Sequence, residues 1–403
     1  MQRYGAEVAG GAEALCRATA RALAAGGDQV EVYTTTARDY LHWRPHYPAG
    51  QSDDDGVRVH RFDAVRADPQ RSSDLLRSLT LGDRPPHIER AWARAQGPLA
   101  PGLIAALATA RARHEAVALW TYLYATTQMA MPLVADRSVL VPLAHDEPMF
   151  GFPLTRGLVR MAAGFAFLTP EERRLVDDLH GLGGRPQAIV GAGIDDPIAP
   201  DPAALRRAHP DLPERFALYI GRIDPAKGLH ALIEAHAAYR RSGGRLGLVL
   251  AGRAAGEMAL PEWVHTTGFV DDSIRSGLLD ACEVVVLPSP HESLSLVALE
   301  AWRAARPTLA NAASEVLAGQ SARSGAGLLY HDAATYTRQL RRLDADPALR
   351  RALAASGSAW VADQTWPACA RRWRGLLARV RRPLVPAPAT ADPDTAAAHS
   401  RGR

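Results

Sequence analysis

The sequence predicts an α/β protein built as two doubly wound parallel sheets facing a cleft. Three observations carry this. The chain has 403 residues, too many for one ordinary core. Short apolar runs alternate with helical periodicity in both halves. A Pro-rich stretch, Pro197 to Pro213, separates the halves as a linker holding one short helix.

Gly10-Gly11-Ala12-Glu13 opens a helical pattern that runs to about Ala25 and stops at Gly26-Gly27. Gln29 to Thr35 reads as a strand. No β run precedes the Gly-rich loop, although the first strand of a doubly wound sheet is normally central. Its loss would leave a gap, so a strand upstream of Met1 is expected. Val57 to Phe62 alternates like an edge strand, and Asp74 to Gly97 reads as helical, ending at the Gly97-Pro98 breaker. Ala116 to Thr121, Ser138 to Leu143, Phe165 to Leu168 and Gln187 to Val190 suit buried parallel strands.

After the linker the expected strands are Ala217 to Ile220, Leu246 to Leu250, Val264 to Gly268, Glu283 to Leu287 and Thr308 to Asn311. The last helices span about Ala333 to Val380. The implied organisation is an N-terminal unit over 1–195, a linker over 196–213, a second unit over 214–365, a helix over 366–382 crossing back to the first unit, and a disordered tail over 383–403.

Composition excludes several classes. Hydrophobic residues make up 47% and charged residues 22%, as in a soluble globular enzyme. The net charge is +4, with scattered cations such as Arg17 and Arg21 on helical faces, so no nucleic-acid groove is expected. Cys16, Cys282 and Cys369 are far apart and lack metal-ligand spacing, which fits a reducing cytoplasm. No apolar run is long enough to span a bilayer and no secretory signal is present; peripheral contact with the inner membrane face is left open.

The chemistry concentrates in the second half. In Pro288 to Glu300 a buried strand gives way to a polar loop carrying Glu292. A helix then starts near Ser295, which can cap it, and Glu300 lies more than one turn in. Such a helix start binds phosphate, and the two carboxylates can accept from sugar or ribose hydroxyls. Gly221-Arg222 and Lys227-Gly228 follow the Ala217 to Ile220 strand. Cations there oppose the helix dipole unless an anion sits between them, and together they would neutralise a diphosphate without a metal. Gly252-Arg253 and Phe269-Val270 end the next two strands and could hold a nucleobase.

In order and spacing these pieces resemble the retaining glycosyltransferases of family 4, with the GT-B fold of two Rossmann-like domains. The resemblance covers nearly the whole chain. Glu292 and Glu300, seven residues intervening, match the family's glutamate pair; Gly221, Arg222, Lys227 and Gly228 match its Gly-Arg…Lys-Gly loop; Gly10 to Glu13 matches its N-terminal Gly-Gly-Ala-Glu. The resemblance implies donor-diphosphate binding by Arg222 and Lys227. It implies contacts of Gly10 and Gly11 with the donor, of Glu292 with the donor sugar, of Glu300 with the ribose, and of the Leu296 and Val297 backbone with phosphate. His145 resembles the family's cleft histidine. Ser293 and Ser295 stand where members often carry glycine.

On the other wall, Asp146 and Glu147 are candidate acceptor ligands or plain helix-start carboxylates. Trp120, Tyr122 and Tyr124 form an acceptor platform or simply core. Glu171 and Glu172 read as a helix start only. Asp53-Asp54-Asp55 reads as a solvated turn, and no metal or cofactor is expected.

The expected reaction is retaining transfer from a nucleoside diphosphate sugar to a hydroxyl of a glycan, a lipid-linked or a small-molecule acceptor. The alternatives are a coupling enzyme taking a phosphorylated or amine acceptor, and a nucleotide-sugar-binding partner subunit.

Overall fold

The structure, a computed structural model, describes residues 1–383 apart from 9, 83, 84, 255 and 257. The expected tail, but for Pro383, lies outside the described residues.

Among the described residues, seven strands form the first half: β1 (Val30–Thr35), β2 (Gly50–Asp54), β3 (Val57–Phe62), β4 (Val117–Trp120), β5 (Ser138–Val141), β6 (Gly164–Phe167) and β7 (Gln187–Ile189). They make a three-stranded sheet, β1-β3-β2, and a four-stranded sheet, β4-β5-β6-β7. All pairs are parallel except β2 with β3. Among the described residues no ladder joins β1 to β4. Met1 to Tyr4 runs beside β1 without ladder pairing: the Met1 ammonium donates to Tyr33 O at 3.2 Å and Thr35 Oγ1 to Gln2 O at 2.7 Å.

Among the described residues, six strands form the second half: β8 (Phe216–Ile220), β9 (Gly247–Ala251), β10 (Val264–Gly268), β11 (Val284–Leu287), β12 (Thr308–Asn311) and β13 (Gly327–Tyr330). They make one parallel sheet in the order β10-β9-β8-β11-β12-β13. β11, Val-Val-Val-Leu, is buried at every position, as both-face coverage by helices requires. Among the described residues no helix is long and apolar enough to cross a membrane.

Three expectations are corrected. β3 is central in its sheet, because the polar β2 pairs along it. Asp53 and Asp54 belong to β2, and Asp55 with Gly56 makes the hairpin turn at positive φ. Arg17 and Arg21 are not simply solvated, since they pair with Asp54 and Asp55. β13 was not expected at all.

The helix Trp366–Val380 returns to the first half. It packs on the helix Gly11–Ala25 and on β5, β6 and β7. Arg374 pairs with Asp28 at 2.7 Å, and Arg372 Nε donates to Val190 O at 2.8 Å. The Trp373 ring stacks on Trp120 with centroids 5.9 Å apart.

Candidate active site

β8 and β11 are neighbours, yet the chain leaves them towards opposite edges of the sheet. The crevice at such a switch point, outside the carboxyl ends of the strands, is where open α/β sheets bind ligands. Two loops border it, 221–228 after β8 and 288–295 after β11. Gly228 sits at φ 76°, and a Cβ there would lie 2.5 Å from Pro288 O, so glycine lets the loops touch. Gly252 is explained by close approach as well: its Cβ would lie 1.8 Å from Gly221 O.

The charged residues converge as their spacing suggests. Lys227 Nζ lies 3.0 Å from Glu292 Oε1. Arg222 Nε lies 3.2 Å from Asp224 Oδ2, and its guanidinium stands 5.3 Å from the centre of the Tyr40 ring. Tyr40 also carries Arg3, at 5.4 Å, and Arg3 pairs with Glu13 of the Gly10-Gly11 helix start. The first-half loops thus meet the second half at Arg222.

Ser295 caps the helix Leu296–Arg303, its Oγ accepting from Ala298 N at 3.3 Å. Leu296 and Val297 are first-turn residues, whose N–H groups have no intrahelical acceptor. Glu300 pairs with Arg275, from the helix Asp272–Ala281. Burial raises the Glu300 carboxyl pKa, and the Arg275 charge opposes it. Ser293 and Ser295 need no glycine backbone; neither has positive φ. Ser295→Ala is expected to cost about 0.5–2 kcal/mol through loss of the cap, read as a lowered midpoint in chemical denaturation.

Across the crevice, the His145 and His291 ring centroids are 6.3 Å apart. Burial pulls the His145 pKa down to about 4, with Lys227 and His291 adding to the effect and Glu292 opposing it. His145 is therefore a neutral ring near pH 7, and its Nδ1 is buried without a partner. Tyr122 OH donates to Glu147, whose carboxyl pKa is raised by burial. Asp146 is exposed. Trp120 is corrected: it is 5% exposed in the core against Trp373 and forms no platform.

Arg253 and Phe269 stand together further along the sheet, the guanidinium 5.4 Å from the ring centre of a 66% exposed Phe269, with Val270 half-buried beside it. Among the described residues, no three His, Cys, Asp or Glu side chains converge as metal ligands. Sequence reasoning missed Tyr40, Asp224, Arg275 and His291. Tyr40 and Arg275 gain their places from tertiary contacts, whereas Asp224 pairs within its own loop, with Arg222 and the Ala226 N–H, and His291 stands beside Glu292.

Residues 214–346 match the family described as Glycosyl transferases group 1. A D-inositol 3-phosphate glycosyltransferase from Kineococcus radiotolerans is 33% identical over 235 residues, 50% of this chain and 54% of that protein. The chain thus spans about half the length of that relative. One of the same name from Stackebrandtia nassauensis is 26% identical over 402 residues, 91% and 86% of the two chains. Among solved structures, sucrose-phosphate synthase from Thermosynechococcus elongatus superposes with a TM-score of 0.70 at 20% identity, covering 94% of this chain and 98% of that one. WaaG, a glycosyltransferase involved in lipopolysaccharide biosynthesis, gives 0.63 at 16% identity over 94% and 98%. The fold is GT-B.

Proposed function

We propose that this chain, whose residues 214–346 match the Glycosyl transferases group 1 family and whose fold is GT-B, moves a sugar from a nucleoside diphosphate to an acceptor hydroxyl with retention of configuration. The carrying observation is the convergence of Arg222, Lys227, Glu292 and the Ser295 helix start at one switch point. Arg222, Lys227 and the helix N–H groups stabilise the departing diphosphate, with no metal required. Glu292 turns from Lys227 to the sugar hydroxyls, and Glu300 holds the ribose. Gly10 and Gly11 close on the donor from the other wall.

Retention means that the acceptor attacks from the face the phosphate leaves. A phosphate oxygen then takes the acceptor proton, and no protein base is needed across the ring. A His145 held neutral, with its pKa near 4, is a poor base and suits hydrogen bonding to the sugar instead. Asp146 and Glu147 bind acceptor hydroxyls, while Tyr122, expected to share that role, is 2% exposed and instead donates its hydroxyl to Glu147. Two GT-B neighbours were solved with UDP-glucose or UDP-2-fluoro glucose, which makes UDP-glucose the first donor to try. The phosphorylated acceptor remains a second reading, supported by the relatives' names; the carboxylates of Asp146 and Glu147 beside His145 weigh against it. A reducing cytoplasm suits its free, buried cysteines.

The test is incubation with UDP-glucose and a panel of free and phosphorylated polyols, with the anomeric coupling of the product read by proton NMR. An α-linked product supports the reading; a β-linked one from the same donor overturns retention. Glu300→Ala is expected to weaken UDP binding about tenfold or more, since it removes a carboxylate acceptor and leaves Arg275 unpaired. Calorimetric titration checks this, and equal affinity would remove Glu300 from the site.

A further inference from the structure

One buried acid stands behind the cleft rather than in it. The helix Pro170–His180 opens on Thr169, whose Oγ1 accepts from Glu172 N at 3.2 Å. Glu172 is 1% exposed. Its Oε1 accepts from Ala144 N at 2.9 Å and its Oε2 from Leu168 N at 2.7 Å. Ala144 directly precedes His145, and Leu143 before it holds φ at 55°. A left-handed leucine persists only where its surroundings impose it.

The same helical turn reaches the opposite wall. Thr169 Oγ1 donates to Ser293 O at 3.1 Å, one residue from Glu292. Glu171 pairs with Arg323 of the second half. The first turn of this helix therefore touches both the His145 loop and the Glu292 loop.

We propose that Glu172 is a positioning residue for the glycosyl transfer set out above. By accepting from Ala144 and Leu168 it fixes the backbone that aims His145, and through Thr169 it ties that backbone to Ser293. It touches no substrate.

Burial raises the Glu172 pKa to about 7 against the N–H groups of Leu168, Ala144 and Leu143. Around His145 the charged and titrating groups are Glu292, Lys227 and His291. Only ionised Glu172 accepts well at both oxygens. Once protonated, one oxygen carries a hydrogen towards a backbone N–H, and one grip is lost. The rate therefore rises with pH through about 7. The folded pKa lies above the 4.5 of an ordinary glutamate, so the unfolded chain gives up this proton first. Wild type then loses stability relative to Glu172→Gln as pH rises from 4.5 to about 7.

The test is Glu172→Gln, nearly isosteric but with one acceptor. The expected result is a kcat lowered about tenfold, an unchanged donor KM and UDP affinity, and loss of the step near pH 7. A variant with wild-type kcat and pH profile overturns the proposal. Should the variant not fold, the His145 ring signals of the wild type decide: an inflection near pH 7, distinct from the ring's own, supports the proposal, and a flat response there overturns it. A wild type that binds no nucleoside diphosphate sinks the glycosyl-transfer reading, while the ring titration still judges Glu172.

Discussion

Lys227→Ala is expected to lower transfer from the donor by about 10²–10³-fold, the usual loss when one preorganised group facing developing charge is removed. Lys227 sits where the argument for a diphosphate is strongest. Gly228 lets this loop press against Pro288, and the Lys227 ammonium lies 3.0 Å from Glu292, in the loop that leads into the Ser295 helix. In the resting chain that ion pair satisfies both charges. As the sugar–phosphate bond breaks, negative charge grows on the leaving oxygen, and the ammonium gains more there than it had with Glu292. Alanine forfeits that gain and leaves an unpaired carboxylate beside an anion. The loss falls on kcat and kcat/KM together, the sign of an interaction made mainly in the transition state. Initial rates against UDP-glucose concentration measure it. An unchanged kcat/KM would remove Lys227 from the chemistry. Arg222→Ala acts in the same direction, with its guanidinium shared in the resting state between Asp224 and Tyr40.

Trp373→Ala is expected to cost about 3–5 kcal/mol of stability, the range for emptying a buried tryptophan site. Trp373 is 1% exposed and stacks on Trp120 in the packing between the last helix and the first-half sheet. Arg372 and Arg374 anchor its helix on either side, so the backbone has little freedom to collapse into the hole. Chemical denaturation followed by tryptophan fluorescence reads the loss. A cost below about 1 kcal/mol would mean that the last helix is held by its ion pairs and not by this aromatic contact.

The parts of the fold that were legible are those with local causes. β11 announces itself through four consecutive apolar residues, the Ser295 cap through its side chain, and the switch-point loops through glycine and charge after a strand. β2, Gly-Gln-Ser-Asp-Asp, has four exposed residues of five and is held by backbone pairing to β3, so hydrophobic periodicity cannot reveal it. Missing it made β3 look like an edge. β13 is a brief run, Gly-Leu-Leu-Tyr, too short to separate from a helix by periodicity. In the candidate site, Arg222, Lys227, Glu292 and Glu300 stand out in the sequence, and so do the segments that pair Lys227 with Glu292 and Arg222 with Asp224, but the distant partners do not. Tyr40, Arg275 and Glu172 come from distant segments, and only the folded chain brings them together. Trp120 was ambiguous for the same reason, its partner Trp373 lying at the far end of the sequence.

The measurement that bears most directly on the donor site is a thermal-shift titration of the chain with UDP, GDP, dTDP and ADP, run beside Glu300→Ala and Lys227→Ala. One diphosphate at about a hundred times its Kd should add roughly 2.7 kcal/mol of stability, with the shift reduced in both variants. If no nucleotide stabilises the wild type, or if both variants respond as the wild type does, the switch-point crevice is not the donor site.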